Sequence, residues 1–127
     1  MDIYVMKTGS PESATNKPVK LTRNSVNDAM PDWSPSGRKI VFQGYRSGNQ
    51  DILSMNADGS NPLNLTKNSA SDAYPTFSPD GKKIAFASDR SGGDFDIWRM
   101  NADGSNPLNL TSTSPGLDLD PSWQPIP

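Results

Sequence analysis

There is no cysteine and no histidine among the 127 residues. A disulfide framework, a zinc finger, a Ser-His-Asp triad and a histidine-based metal centre are therefore excluded within this chain. Long apolar runs are missing as well. No stretch is long enough for a membrane-spanning helix or for the apolar core of a signal peptide, so no membrane insertion is expected. Charge of one sign never accumulates: 12 Lys and Arg face 14 Asp and Glu, a net charge of −2. That balance argues against nucleic acid or an anionic membrane surface as a partner. No segment repeats its apolar residues at helical spacing over three turns. Apolar residues make up only 32%, below the share of an ordinary globular domain. They nevertheless fall in short, regular clusters between the 10 Gly and 12 Pro, which points to many short elements joined by turns and not to disorder.

What is present is a repeat. Met55–Thr66 and Met100–Thr111 both read MNADGSNPLNLT, 45 positions apart. A period of this length marks stacked supersecondary units. Asp2-Ile3-Tyr4-Val5-Met6 aligns with Asp51–Met55 and Asp96–Met100. Each is followed by a Gly-containing turn and then by a short segment ending in Leu-Thr, at Leu21-Thr22, Leu65-Thr66 and Leu110-Thr111. The first copy carries a polar insert around Glu12–Lys17, which reads as a longer hairpin loop. A second signature is Pro-x-aromatic, at Pro31-Asp32-Trp33, Pro75-Thr76-Phe77 and Pro121-Ser122-Trp123. In the first two copies a Pro-x-Gly turn follows, with Pro supplying φ near −65° and Gly the positive φ. Next come RKIVFQGY (38–45) and KKIAFAS (82–88). Ile40 and Phe42 point one way and Val41 the other, the pattern of a strand buried on both faces between stacked sheets.

One repeat is thus four short strands: Pro-x-aromatic, Lys-Ile-x-Phe, Asp-Ile-x-x-Met and Leu-x-Leu-Thr. Four-stranded antiparallel units repeated every 40–45 residues are the signature of β-propeller blades. The expected class is all-β. The expected division is a half blade over about 1–22, blades over 23–66 and 67–111, and the first strand of a further blade over 112–127. The chain resembles the TolB-like β-propeller repeat. The likeness is carried by Phe77–Ser91 and Asp96–Ser105, which match the family pattern W-S-P-D-G-K-K-I-A-F, S-D-R-x-G and D-I-Y-x-M-N-A-D-G-S almost residue for residue.

The resemblance implies a propeller scaffold, periplasmic or secreted, that is non-catalytic and serves protein or peptide interaction, as in TolB. The repeat also occurs in propellers attached to serine peptidases and in some polysaccharide lyases, which gives a second reading, an accessory piece of a secreted enzyme. A third is a recently duplicated repeat fragment with no ligand. Two full blades with half pieces fall short of the 4–8 that close a ring. Two explanations are expected: the chain is the C-terminal fragment of a longer propeller, or it closes by association, most simply as a homodimer of about six blades.

No residue pattern here demands an enzyme. There is no nucleophile elbow and no phosphate loop, and neither a cofactor nor a metal is expected. Asp58-Gly59 and Asp103-Gly104 have a passing likeness to a calcium loop but lack its remaining acidic ligands, and they read as hairpin turns. Asp2, Asp51 and Asp96 read as structural carboxylates bonding the preceding Arg-Ser-Gly turn. Arg46 and Arg90 are placed to pair with them or with neighbouring carboxylates. The candidate contact surface lies where a propeller's loops converge on its axis: Asn27, Asp28, Met30, Asp72, Tyr74, Asp118 and Asp120. Its carboxylates either cap turns or form a ring for a cation or a basic peptide. Trp33, Phe77 and Trp123 read as packing between blades or, alternatively, as an aromatic surface for sugars. Tyr4, Leu53 and Trp98 read as packing between blades.

Overall fold

A computed structural model describes residues 2–5, 19–22, 27–46 and 48–111. The Glu12–Lys17 insert, Asp118, Asp120 and the Trp123 strand lie outside them. Ten strands and no helix are formed among the described residues. They are β1 (Tyr4–Val5), β2 (Val19–Lys20), β3 (Asp28–Trp33), β4 (Lys39–Arg46), β5 (Asn49–Asn56), β6 (Leu63–Asn64), β7 (Asp72–Phe77), β8 (Lys83–Ser88), β9 (Asp96–Asn101) and β10 (Leu108–Asn109). They make three antiparallel sheets: the pair β1-β2, then β3-β4-β5-β6, then β7-β8-β9-β10. Each four-stranded sheet is a simple meander, because every connection within it is a short turn.

The turns follow from their residues. Ser34 N–H donates to the carbonyl of Lys39, and Gly37 N–H to that of Ser34 at 2.9 Å, with Gly37 at φ 73°. Ser78 and Gly81 repeat this one copy later. The Ser34 and Ser78 hydroxyls each accept the N–H of the lysine five residues on, at 3.0 Å. In both inner strands the register slips where a proline cannot donate to the ladder. The slip falls between Ala29 and Asp32 in β3, and between Ala73 and Thr76 in β7. The bulge holds Met30 and Tyr74 at φ 53° and 54°.

The alternation read from β4 holds. Ile40 and Phe42 pack with Ile3, Leu53 and Met55 on the side of the β1-β2 pair. Val41 lies on the other face with Ile52 and Leu65, against Phe77, Ile84, Phe86 and Met100 of the next sheet. The central strands β4 and β5 of the middle sheet are therefore buried on both faces, each side chain of Phe or Ile size contributing about 1.5–3 kcal/mol over its exposed state.

Trp33 departs from the expected packing. It is 45% exposed, whereas its equivalent Phe77 is 8% exposed. Strand β7 rests on β3, β4 and β5, but no described strand of the preceding sheet reaches β3. Tyr4, also expected between blades, is 55% exposed, while its equivalent Leu53 is buried.

Candidate functional site

A four-stranded meander has two rims. One carries the turns between first and second strands and between third and fourth strands. The other carries the turns between second and third strands and the connectors from sheet to sheet. Asn27, Asp28, Asp72 and the arginines Arg46 and Arg90 belong to this second, connector rim.

The sequence puts Asp28 and Asp72 at an exposed mouth; the structure puts them inside, both at 0% exposure and as the first residues of β3 and β7. A buried carboxylate requires a partner, and the turn arginine supplies one. Arg46 Nη1 donates to Asp28 Oδ1 at 3.0 Å, and Arg90 Nη2 to Asp72 Oδ1 at 3.2 Å. Arg90 is further fixed by donating from Nε to Ser88 Oγ at 3.0 Å and by lying over the rings of Phe86 and Trp98, 5.2 and 4.7 Å from their centroids. The two copies differ beside the ion pair. Where the second has Ser88, the first has Gly44, and a Cβ there would stand 2.2 Å from Asp28 Oδ1.

The Asp of Asp-Ile has a different job from the one expected. Among the described residues its partners are side chains, those of the fourth strand and, for Asp51, also Asn49 at 3.0 Å, and not the backbone of the Arg-Ser-Gly turn. Asp51 Oδ2 accepts from Asn64 at 2.9 Å, and Thr66 Oγ1 accepts the Ile52 N–H at 3.0 Å. Asp96 with Asn109 and Thr111, and Asp2 with Thr22, repeat the arrangement. Asn49 then ties the connector down, donating to the carbonyls of Asn68 and Ala70 at 2.8 and 2.7 Å.

These ties hold Asp28, Asp51, Asp72 and Asp96 within the rim. What remains exposed near the candidate residues is Asn27, Met30, Tyr45 and part of Tyr74. Met30 and Tyr74 hold matching bulge positions, and the structure brings Asn27, Asp28 and Arg46 together at one end of β3. No group of three or more metal-ligating side chains occurs among the described residues.

Two contacts missed in the sequence join the sheets. Asp32 Oδ2 accepts the Phe77 N–H at 2.9 Å and the Thr76 hydroxyl at 3.1 Å. Gln43 Oε1 accepts the Tyr74 N–H at 2.8 Å. Both amides lie on β7, the edge strand of its sheet, that of Tyr74 at the bulge and that of Phe77 just beyond it. On the opposite rim, Gly104 sits so tightly on the preceding sheet that a Cβ would lie 2.6 Å from the Leu65 carbonyl oxygen. Gly59 sits in the same way on Leu21, at 2.8 Å. A groove of about 380 Å³ opens beside this contact, between Pro35, Leu63, Phe77, Asp80 and Asp103. Each carboxylate there serves its own turn. Asp80 is held below its ordinary range first by the Lys82 N–H and then by the Ser78 hydroxyl. Asp103 is lowered by the Ser105 hydroxyl and then the Ser105 N–H. Asp58 is lowered in the same way by Ser60.

Such units, four antiparallel strands stacked face to face and joined from outer to inner strand, are the blades of a propeller. The family model of the TolB beta propeller domain matches residues 3–126. The chain belongs to the TolB β-propeller family. Among solved structures, a putative TolB from Agrobacterium tumefaciens is 34% identical with a TM-score of 0.70, over 76% of this chain and 34% of that one. TolB from Acinetobacter baumannii is 27% identical with a TM-score of 0.66, over 79% of this chain and 25% of that one. An oligogalacturonate lyase, solved in complex with manganese, shares the fold at 18% identity and a TM-score of 0.60. No curated protein matches the chain. This TolB-family chain thus spans about a third and a quarter of the length of the two TolB structures.

Proposed function

We propose that this chain is a non-catalytic TolB-like scaffold that binds a protein or peptide on its connector rim, in a periplasmic or secreted setting. The supporting observation is the burial of Asp28 and Asp72 in ion pairs with Arg46 and Arg90. The carboxylates of Asp28 and Asp72 and their arginines are thereby spent on internal order. Beside the exposed charges Lys67 and Asp94, the rim's surface keeps aromatic, apolar and amide groups, Tyr45, Tyr74, Met30 and Asn27, the chemistry of a polypeptide contact. The scaffold works as an assembly of more than one copy, a dimer of about six blades being the simplest closed ring.

A photo-crosslinking residue placed at Tyr45 or Tyr74, with one at Ser36 on the opposite rim as control, tests the reading in the producing cell. The expected product is a covalent adduct with a second, different polypeptide from the connector-rim positions alone. Equal labelling from both rims, or turnover of peptide or oligogalacturonide substrates by the purified chain, would defeat it.

A further inference from the structure

Three Asp-Gly pairs stand in the chain, Asp58-Gly59, Asp80-Gly81 and Asp103-Gly104, and binding on the connector rim uses none of them. In an Asp-Gly pair the backbone readily attacks its own side chain, because Gly leaves the nitrogen unhindered. The Gly nitrogen adds to the Asp carboxyl carbon, the carboxyl OH and the amide proton leave as water, and a five-membered succinimide closes. Water then opens the ring at one of its two carbonyls. One opening restores Asp. The other gives isoaspartate, with the chain routed through the side chain and longer by one methylene. No reactant besides water is needed.

The local chemistry is matched in all three turns. The Gly N–H donates at 2.8 Å to the carbonyl of Asn56, Ser78 or Asn101. One carboxylate oxygen accepts a serine hydroxyl, that of Ser60, Ser78 or Ser105. The same oxygen accepts a backbone N–H at 2.9 Å, that of Ser60, Lys82 or Ser105. All three aspartates are exposed, so water reaches them alike. Ring closure therefore waits on opening of the turn, which must free both the amide and the carboxyl. The seat of the glycine is what differs. A β-carbon at Gly59 or Gly104 would stand 2.8 or 2.6 Å from the carbonyl oxygen of Leu21 or Leu65, so both glycines lie hard against the backbone of the preceding sheet. A β-carbon at Gly81 would meet Pro35 Cδ at 3.4 Å, an ordinary contact with an exposed side chain. Opening at Gly81 is thus a local event, whereas opening at Gly59 or Gly104 requires a sheet to withdraw.

We propose that Asp80 is a site of spontaneous isoaspartate formation in the folded chain, and that Asp58 and Asp103 are shielded from the same reaction until the sheets part. The first copy carries the unreactive version of the Asp80 turn. Ser36 stands in the place of Asp80, and Gly37 has the φ of Gly81, 73° against 74°. Ser36 Oγ accepts the Arg38 N–H at 3.3 Å, as Asp80 accepts that of Lys82. Asp80→Ser is therefore a substitution the fold already accommodates.

The test is ageing of the purified full chain for weeks at neutral pH and body temperature, with tryptic mapping and enzymatic isoaspartyl methylation as the readout. Cleavage places the three pairs on separate peptides, 47–67, 68–82 and 100–127. Isoaspartate is expected on 68–82, at least tenfold faster than on either other peptide. In concentrated urea the three rates should converge, because Gly follows Asp in each. Asp80→Ser should melt like the parent and leave 68–82 unmodified. Phe77→Ala loosens the packing that seats Gly104 and should raise conversion at Asp103, but not at Asp58, whose glycine rests on Leu21. Should that variant fail to fold, Asp32→Ala, which removes two bonds between the same sheets, takes its place. Equal rates at the three sites of the folded chain overturn the proposal. So does a folded chain inert at Asp80 while the urea-unfolded chain converts, or a loosened variant that gains as much at Asp58 as at Asp103.

Discussion

At the scale of single residues, the chain invests its charges in local order. Arg90 illustrates the point: it neutralises a fully buried carboxylate, bonds a hydroxyl and covers two aromatic rings. Removing it strands Asp72 in the interior. Because the arginine is itself 19% exposed, the loss is discounted from the full buried-pair value to about 2–3 kcal/mol for Arg90→Ala. Arg46→Ala should cost less, since Arg46 shows no comparable ring stacking; paired urea denaturations would give the difference. The Asp-Gly turns contribute to the acid sensitivity of the fold. Asp58 and Asp103 sit below the ordinary value of 3.8 in the folded chain, held by Ser60 and Ser105. A group lowered by folding stabilises fully above its unfolded pKa and loses that contribution as pH falls through the folded one. Stability should therefore decline below about pH 3.8, and the double change Asp58→Asn, Asp103→Asn should flatten that decline. Urea midpoints recorded between about pH 5 and pH 2 would check it.

At the scale of elements, much was legible. The period, the four strands of each copy, both Gly turns and the two-faced burial of β4 could be read from spacing alone, because each is fixed by local chemistry. The role of Asp28 and Asp72 was not. Their position before Pro-x-aromatic suggested a loop, and only the partner eighteen residues away, Arg46 or Arg90, draws them inside. The acceptors Asp32 and Gln43 were equally hidden, since their donors are backbone amides of another sheet and leave no trace in residue type. The Gly turns also act between elements. Gly104 and Gly92 both need a positive φ, 89° and 80°, but only Gly104 has a neighbour within reach, Leu65. Gly92→Ala should cost about 1–2 kcal/mol for backbone conformation. Gly104→Ala should cost at least about 1 kcal/mol more for the overlap, a gap that guanidinium titrations can resolve.

At the scale of the whole molecule, stacking of sheets does the holding, since no single sheet has a core of its own. Phe77→Ala should cost about 3–5 kcal/mol, as expected for a large ring removed from between packed layers. Trp33→Ala, at the exposed equivalent position, should fall within about 1 kcal/mol of neutral in the monomer. Thermal melts of the two variants at low concentration would separate them. The seat of Gly104 on Leu65 has a wider meaning. Both residues lie in the same twelve-residue sequence, one near its beginning and one near its end. The dodecamer is thus a tile whose head fits its own tail. A tile of this kind must agree with itself, because a change on one edge has to suit the other edge of its neighbour, and this favours copies that stay identical. It also lets the array lengthen or shorten by whole 45-residue steps without a seam. Leu110, 49% exposed at the tail of the second tile, is the same seat offered once more.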